Sequence, residues 1–304
     1  MFKYAFIFLL FFSSSFSSKA EDEYLVTEVE ELNCPQVAVC FDKNNQPYTG
    51  HVVDYDANGL LYEKSFYLNG KLEGEQWFFY ENGEVETYCR HHEGIPLYFV
   101  KYSKNQQKYL EFSLIPNKKT KEIMREFLSY HPNGNLKQRE VLDPRGGGYM
   151  QVFTENNILE LESEFMLADP KEGRLSEKYP HGKASVYHPQ SGVLVSTRQY
   201  HLGKIDGQEI NYYENGQIES VITYKNDKKN GPAVYYDEEG RLLKKENYVN
   251  DLLHGVSELY LGNIMVRAPL ENGVRAGTVQ IFQDGNLVSE WVYSNGELID
   301  KRDY

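Results

Sequence analysis

A glycine recurs every 24 residues in this chain of 304 residues. Gly207, Gly231 and Gly255 are 24 residues apart, and Gly50 and Gly74 keep the same interval nearer the beginning of the chain. An aromatic residue follows each of these glycines by five positions. Self-similarity at a fixed period of about 20 to 50 residues is typical of a repeat architecture, in which one supersecondary unit is copied along the chain. The period therefore constrains the fold more tightly than any single motif.

The best-preserved unit, residues 207–231, predicts one β-hairpin. Its Asn215-Gly216 pair stands between segments rich in β-branched and aromatic residues, and such a pair favours a hairpin whose two turn residues both have positive φ. Apolar residues alternate with the period of a strand on both sides. The same place in other units is held by Asn58-Gly59, Asn82-Gly83, Asn133-Gly134, Gly192, Glu239-Gly240 and Asp284-Gly285, with Asn157 in the place of a glycine. We expect each repeat glycine to mark the turn between hairpins, and the set is Gly50, Gly74, Gly182, Gly207, Gly231, Gly255 and Gly277.

Stacked units would align equivalent side chains into ladders. The first ladder is the structural row Tyr55, Phe79, Phe153, Tyr187, Tyr212, Tyr236, Tyr260 and Phe282. The second ladder is Leu61, Val85, Leu136, Leu194, Ile218, Leu242, Ile264 and Leu287, and the third is Tyr67, Tyr200, Tyr224, Tyr248 and Tyr293. Rows of aromatic and branched residues stabilise neighbouring strands, so the first two ladders are interpreted as core. The predicted fold is all-β, an elongated single-layer twisted antiparallel sheet of about ten consecutive β-hairpins.

The chain divides into five predicted segments. Residues 1–20 are a signal peptide, 21–47 an N-terminal segment, 48–97 clear repeats, 98–178 degenerate repeats with insertions, and 179–304 clear repeats again. The run Asn117 to Phe127 is compatible with an inserted helical turn or a long loop. Function on a repeat scaffold often lies in its loops, so Lys101–Thr120 and Asp143–Gly148 are candidates, and plain degenerate repeats are the alternative.

Residues 1–20 have the pattern of a secretory signal. Lys3 supplies the positive end, Ala5 to Phe12 form the apolar segment, and small residues precede cleavage near Ala20. An uncleaved membrane anchor is the alternative, but the apolar run is shorter than the roughly 20 residues of a spanning helix. We therefore expect an exported protein, whether periplasmic, envelope-associated or secreted.

Charge and motifs limit the classes of function. The net charge of −13 argues against nucleic acid and against an anionic membrane surface as partners. The glycine-rich stretch Arg145–Gly148 lacks the lysine and hydroxyl of a phosphate-binding loop. The adjacent His91 and His92 would point to opposite faces of a strand and so could not bind one metal. Serine in a nucleophile-elbow context is absent. We expect no enzyme activity, no cofactor, no catalytic residue and no metal site.

Three cysteines, Cys34, Cys40 and Cys89, occur in the chain. A disulfide is permitted in an exported protein, and Cys34–Cys40 would close a small loop around Pro35. Cys89 would then be free or paired between chains. Three buried reduced thiols are the alternative, and the spacing matches no zinc pattern.

The segments Tyr67–Gly74, Tyr200–Gly207 and Tyr224–Gly231, the last followed by a Tyr-Tyr pair, resemble MORN repeats of the bacterial variant. The resemblance covers about residues 48–94 and 179–304. It implies an open twisted sheet of hairpins and a non-catalytic scaffold that binds a protein partner, and bacterial members are often labelled antitoxin-like. The chain also resembles the repeats that bind cell-wall choline or glucan, which makes an envelope glycan the second candidate ligand. An antitoxin or immunity protein, whose acidic surface complements a basic toxin, is the third alternative.

Overall fold

The computed structural model describes residues 26–27, 39–168 and 177–304, and these form strands and turns without a helix. The predicted signal peptide and most of the segment 21–47 lie outside the described residues. The strands are β1 Val26–Thr27, β2 Gly50–Tyr55, β3 Leu61–Leu68, β4 Lys71–Leu72, β5 Gly74–Phe79, β6 Val85–His92, β7 Ile95–Tyr102, β8 Lys108–Pro116, β9 Ile123–Tyr130, β10 Leu136–Leu142, β11 Gly147–Phe153, β12 Leu159–Leu167, β13 Lys178–Tyr187, β14 Leu194–His201, β15 Lys204–Tyr212, β16 Ile218–Lys225, β17 Lys228–Tyr236, β18 Leu242–Val249, β19 Leu252–Leu253, β20 Gly255–Leu261, β21 Ile264–Glu271, β22 Val274–Arg275, β23 Gly277–Gln283, β24 Asn286–Ser294 and β25 Glu297–Asp303. Within this part of the chain, no helix is long and apolar enough to cross a membrane.

The first of two compact units contains the described residues of Met1–Gly148 and Glu155–Asn157. From β2 to β10 its strands pair antiparallel in chain order, with the short β4 closing the turn between β3 and β5. The two-residue β1 adds a parallel pairing to β2. The helical turn considered for residues 117–127 is wrong, because Asn117–Glu122 is a short loop closed by the bond from the Asn117 N–H to the Glu122 carbonyl, 2.8 Å, and β9 follows it.

The second unit contains Tyr149–Thr154, Ile158–Ala168 and Glu177–Tyr304. From β12 to β25 its strands also pair antiparallel in chain order, and the short β19 and β22 close turns beside β18 and β21. The all-β fold of consecutive hairpins predicted from the repeat period is confirmed in each unit.

In most repeats the turns have different geometry from the one expected. In the first turn Asn215-Gly216 only the glycine has positive φ, 83°, and the same holds at its equivalents except Asp284-Gly285, where φ is 50° and 82°. The other two-residue turns with positive φ at both positions are second turns, as at Asn226-Asp227 with φ of 50° and 67°. The prediction is therefore confirmed at Asp284-Gly285 and wrong at Asn215-Gly216, where the loop is longer: the Tyr213 N–H donates to the Gln217 carbonyl, and the Gly216 N–H donates to the Tyr213 carbonyl. A loop of this length needs only one residue with left-handed backbone to reverse the chain.

The repeat glycines lie at the start of strands or within them: Gly50, Gly74, Gly255 and Gly277 begin β2, β5, β20 and β23, and Gly182, Gly207 and Gly231 lie within β13, β15 and β17. Gly207 lies inside β15, directly opposite Tyr224, and Gly231 lies inside β17, opposite Tyr248. Gly207 has φ of 128°, and a Cβ there would come within 2.9 Å of the Gln199 Cβ. Glycine is therefore required because the backbone is left-handed at a place where the neighbouring strand leaves no room for a side chain. Asn157, which stands in the place of a first-turn glycine, does adopt the expected positive φ of 61°.

The first-ladder aromatics end the first strand of their hairpins at a register shift. The shift falls between Asn211 and Tyr212 in β15, and the same irregularity precedes Tyr55, Phe79, Tyr187, Tyr236 and Phe282. Such a β-bulge increases local strand twist. Beyond the bulge, the aromatic pairs directly with the second-ladder residue, as Tyr212 does with Ile218. In these six hairpins the first two ladders are thus cross-strand partners; β20 and β21 pair without a shift, and Tyr260 lies opposite Met265 instead of Ile264.

Six of the seven side chains that lie two residues after a repeat glycine are buried, and the seventh, Ser257, is half-buried. This position is held by Val52 at 6% exposure, Gln76 at 8%, Ala184 at 8%, Glu209 at 7%, Ala233 at 0% and Val279 at 2%. All first-ladder side chains are half-buried, and so are those of the second ladder except the exposed Ile218. Large neighbours on the same face, such as Tyr224 and Tyr248, are therefore placed to cover the small central residues.

Candidate interaction surfaces

Each strand presents alternate side chains to opposite faces. The face that carries the position two after the repeat glycine is called the central face. In the second unit, the opposite face holds a shallow cavity of about 330 Å³ over β13–β15, lined by Lys183, Thr197, Arg198, Gln199, Gln208 and Ile210. This cavity is open to solvent, so its geometry resembles a surface depression and not an enclosed catalytic cleft.

Carboxylates on the central face of the second unit are paired with cations or hydroxyls. Glu209 lies directly opposite Arg198 and accepts a hydrogen bond from its Nε. Glu246 accepts from the hydroxyl of Tyr248 at 2.8 Å and lies 3.1 Å from the Lys244 Nζ. Burial, followed by the nearby Glu209, raises the pKa of Tyr224 to about 12. These contacts satisfy buried polar groups, and they bind the tyrosines of the third ladder to the sheet.

In the first unit, Glu111 joins two tyrosines. The hydroxyls of Tyr98 and Tyr130 donate to its two carboxylate oxygens at 3.0 and 2.8 Å. Burial alone would raise the pKa of Glu111, but hydrogen bonds from Tyr130, Tyr98 and Lys108 outweigh it and hold that pKa below its ordinary value. Glu111 is therefore a structural anion that links β7, β8 and β9.

One carboxylate pair in the first unit has no cation beside it. Asp54 and Glu63 lie directly opposite on β2 and β3, and Asp54 is only 8% exposed. Glu63 accepts a hydrogen bond from the Gln76 Nε2 at 2.7 Å. The structure gives neither carboxylate an ion pair with a described residue. Burial raises the pKa of both groups, and their mutual repulsion adds to the rise at Glu63.

Aromatic rings form a row on the other face of the first unit. The ring centroids of Trp77 and Tyr88 are 4.3 Å apart, and those of Tyr88 and Tyr98 are 6.1 Å apart. The Tyr88 hydroxyl donates to Glu75 at 3.0 Å. A half-buried aromatic row edged by carboxylates presents both apolar area and hydrogen-bond acceptors.

The cross-strand pairs that close the second turns of the second unit form one row, called here the second-turn margin. Its pairs are His201/Lys204, Lys225/Lys228, Val249/Leu252, Glu271/Val274 and Ser294/Glu297. They occupy the same position of successive repeats and therefore lie on the same face, opposite the central face. Val249, Leu252 and Val274 are 39%, 49% and 43% exposed, and Val256 on the same face is 52% exposed.

Hydrogen bonds join neighbouring turns along this margin. The Ile205 N–H donates to the Asp227 carboxylate at 2.7 Å, and the Lys229 N–H donates to Asp251 at 2.7 Å. The Gly273 N–H donates to the Leu253 carbonyl at 2.7 Å. Each turn is thus held against the next one, and the margin presents its side chains on fixed backbone.

His91, His92, the glycine-rich loop Arg145–Gly148, Cys40 and Cys89 all belong to the first unit. His91 is buried and His92 is exposed, as alternation on β6 predicts. The Asp143 carboxylate accepts from the N–H groups of Arg145 and Gly147, so this loop is closed by its own side chain. Cys34 lies outside the described residues; Cys40 is buried at 6% exposure. Cys89 is a free thiol, and burial raises its pKa to about 11. Over residues 39–168 and 177–304, no group of three or more His, Cys, Asp or Glu side chains is arranged to hold a metal ion.

Two features escaped sequence reasoning. The central buried position carries Val, Gln, Ala and Glu in different repeats, so no chemical pattern marks it. The second-turn margin could have been found from the repeat alignment, because Lys225 and Lys228 flank a two-residue turn and must face each other. The loops proposed as functional, Lys101–Thr120 and Asp143–Gly148, are ordinary parts of hairpins in the first unit.

The family model described as MORN repeat variant matches residues 126–141, 205–226 and 229–250. Each of the last two matches corresponds to one hairpin of the second unit. No curated protein matches the chain. One matching solved structure, described as "Crystal Structure of TcdB2-TccC3", is 11% identical with a TM-score of 0.20. That match covers 84% of this chain but only 18% of the other, so this chain spans less than a fifth of its length.

Proposed function

Because the chain is a MORN repeat protein, we propose that it is a non-catalytic scaffold that binds a protein partner along its repeat hairpins. Repeated hairpins present the same backbone geometry many times, with different side chains at equivalent positions. Such surfaces suit recognition of an extended partner, whereas chemistry at a perturbed residue usually needs a cleft.

The observation that carries the proposal is the exposed apolar group on the second unit. Val249, Leu252, Val256 and Val274 lie together on one face, each more than a third exposed. Contiguous exposed apolar side chains rimmed by polar ones mark interaction sites in soluble proteins. Branched aliphatic residues at turns contribute little to a core, so their placement is explained by a partner that covers them.

Affinity capture tests this proposal with matched variants. The full chain is compared with Val249→Thr/Leu252→Thr, and with Val195→Thr/Leu243→Thr as control. Val195 and Leu243 are also exposed, at 40% and 37%, but lie outside the margin. A partner that is captured by the wild type and the control and is lost with the margin variant supports the proposal. Capture of no protein under crosslinking would contradict it.

We propose that the protein is exported before it meets this partner. Support comes from residues 1–20 alone, whose charged start, apolar segment and small residues near Ala20 are those of a signal peptide. N-terminal sequencing of the protein from its own cells tests this. A mature chain beginning near residue 21 supports export, and an intact Met1 in the cytoplasm contradicts it.

A glycan is the second candidate ligand, favoured by the row of Trp77, Tyr88 and Tyr98. Aromatic faces and neighbouring carboxylates are the groups that bind sugar rings. Retention on purified envelope polysaccharide at high salt, lost in Trp77→Ala, would support this alternative. An antitoxin-like role is the third candidate: a net charge of −13 would complement a basic toxin.

A further inference from the structure

The second-turn margin carries an unpaired positive charge inside an acidic protein. Lys225 and Lys228 lie directly opposite each other, and Lys204 lies opposite His201 one hairpin earlier. All four side chains are exposed. The structure gives no ion pair to Lys204, Lys225 or Lys228 with any residue that it describes. Most exposed cations elsewhere in this unit are paired, as Arg241 is with Asp237.

The Lys225/Lys228 pair destabilises the hairpin that carries it. Like charges directly opposite on neighbouring strands repel each other. Asp227 and Asp251 accept backbone N–H groups of the adjacent turns at 2.7 Å, and the structure gives neither an ion pair with these lysines. Asp206 precedes Gly207, the partner of Tyr224, so it lies next to Lys225 along the neighbouring strand β15, and the structure gives it no ion pair with a described residue either. A cost to folding without a compensating contact within the chain is typical of a functional position.

The lysine pairs continue into the apolar part of the same margin. Val249 and Leu252 occupy the next repeat, and Val274 the repeat after it. Adjacent strands are about 4.8 Å apart, so three hairpin steps from Lys204 to Val274 span about 29 Å. An extended peptide rises about 3.3 Å per residue, so about nine residues cover this distance.

We propose that the second-turn margin of the second unit binds an extended peptide segment of the partner protein that is acidic over the lysine pairs and apolar over Val249, Leu252 and Val274. This inference rests on the proposed function and names the chemistry of the partner. Carboxylates facing Lys204, Lys225 and Lys228 would remove the repulsion between them. Val249, Leu252 and Val274 would be covered by the other half of the segment, which fixes its direction across the repeats.

The test uses the full chain and two synthetic twelve-residue peptides. One half of each peptide alternates Val with Thr; the other half alternates Glu with Thr in the probe and Lys with Thr in its control. Binding is measured by fluorescence anisotropy. We expect the acidic probe to bind more tightly than the lysine control, and Lys228→Glu to weaken it about tenfold, or about 1.4 kcal/mol. Lys118→Glu, the same charge change in an exposed turn of the first unit, should leave binding unchanged.

Thermal unfolding separates binding from folding. Lys228→Glu creates an opposite-charge pair with Lys225 and should keep or raise the melting temperature. Equal binding of the two peptides, unchanged binding in Lys228→Glu, or binding to anionic phospholipid vesicles in place of the acidic probe would overturn the inference. A natural partner captured equally by the wild type and Lys228→Glu would overturn this site and leave the proposed function standing.

Discussion

Glu209 and Glu63 are two central-face carboxylates that differ in the charge of the residue directly opposite. Both lie on the central face, but Glu209 has Arg198 directly opposite, whereas Glu63 has Asp54. Burial therefore raises the pKa of Glu63 and of Asp54, with no cation to offset it. A carboxyl whose pKa is raised by folding contributes stability below its ordinary pKa, and that stability is lost as the pH rises through the folded value.

Glu63→Gln removes this pH-dependent cost. The amide keeps an acceptor for the Gln76 donor but carries no charge. We expect the variant to have a higher free energy of unfolding than the wild type near neutral pH, and the difference to shrink as the pH falls toward 4. Urea unfolding across this range measures it. Glu81→Gln, in an exposed turn, is the control; a difference that does not vary with pH would contradict the explanation.

Gly207 supplies a second test at a single residue. Its φ of 128° and the 2.9 Å approach to the Gln199 Cβ both oppose a side chain. Gly207→Ala should lower the free energy of unfolding by about 1–3 kcal/mol. Gly216→Asn is the matched control: Gly216 has φ of 83° with open space around it, and Asn157 already holds an equivalent position. Equal losses in the two variants would contradict the role assigned to the repeat glycine.

At the scale of the hairpin, contacts between successive repeats hold the first turns together. The Tyr213 hydroxyl donates to the Tyr236 carbonyl at 2.8 Å, and the Asn215 side chain donates to the Glu238 carbonyl at 2.9 Å. The same contact recurs in the first unit, where the Tyr80 hydroxyl donates to the Tyr102 carbonyl at 2.6 Å. The second tyrosine of the Tyr-Tyr pair, Tyr213, and the turn asparagine, Asn215, therefore each donate a hydrogen bond to the next repeat.

Tyr213→Phe tests that bond. Removal of the hydroxyl leaves the Tyr236 carbonyl without this donor, so we expect a loss of about 0.5–1.5 kcal/mol in the free energy of unfolding. Tyr187→Phe is the control, since the structure gives its hydroxyl no hydrogen bond to any residue that it describes. Chemical denaturation measures the free energy of unfolding of both variants. Equal stability of the two would mean that the hydrogen bond between repeats contributes nothing measurable.

The sequence predicted the hairpins well and their details less well. The period of 24 residues and the strand alternation were sufficient for the order of elements, because register in a hairpin depends on local turns. The geometry of the turns was not predicted, because an Asn-Gly pair fits both a two-residue turn and a longer loop with one left-handed residue. The central row was missed because burial there depends on neighbouring strands: Ala233, at 0% exposure, lies between Ile222 and Glu246.

At the scale of the whole molecule, the third-ladder tyrosines affect stability at high pH. Burial raises the pKa of Tyr67 and of Tyr224 to about 12, and it raises the pKa of Tyr248 as well. The folded state holds these protons more tightly than the unfolded chain, so the stability is present below about pH 10 and is lost as the pH rises through about 12.

We expect the free energy of unfolding to fall steeply between about pH 10 and pH 12. The raised pKa of Cys89, about 11, acts in the same direction. Urea unfolding at several alkaline pH values, with tyrosine ionisation followed by ultraviolet absorbance, measures the effect. A Tyr224→Phe variant should show a smaller fall. Constant stability across this range would contradict the burial assigned to the third ladder.

We propose that the second unit binds a protein through its second-turn margin. Site-specific photo-crosslinking in the native cell tests this proposal, with the photoreactive residue placed at Leu252 and, as control, at Glu81 in a turn of the first unit. We expect a defined protein adduct from position 252 and none from position 81. Absence of any protein adduct at 252, with the native chain instead retained on envelope polysaccharide at high salt, would contradict it.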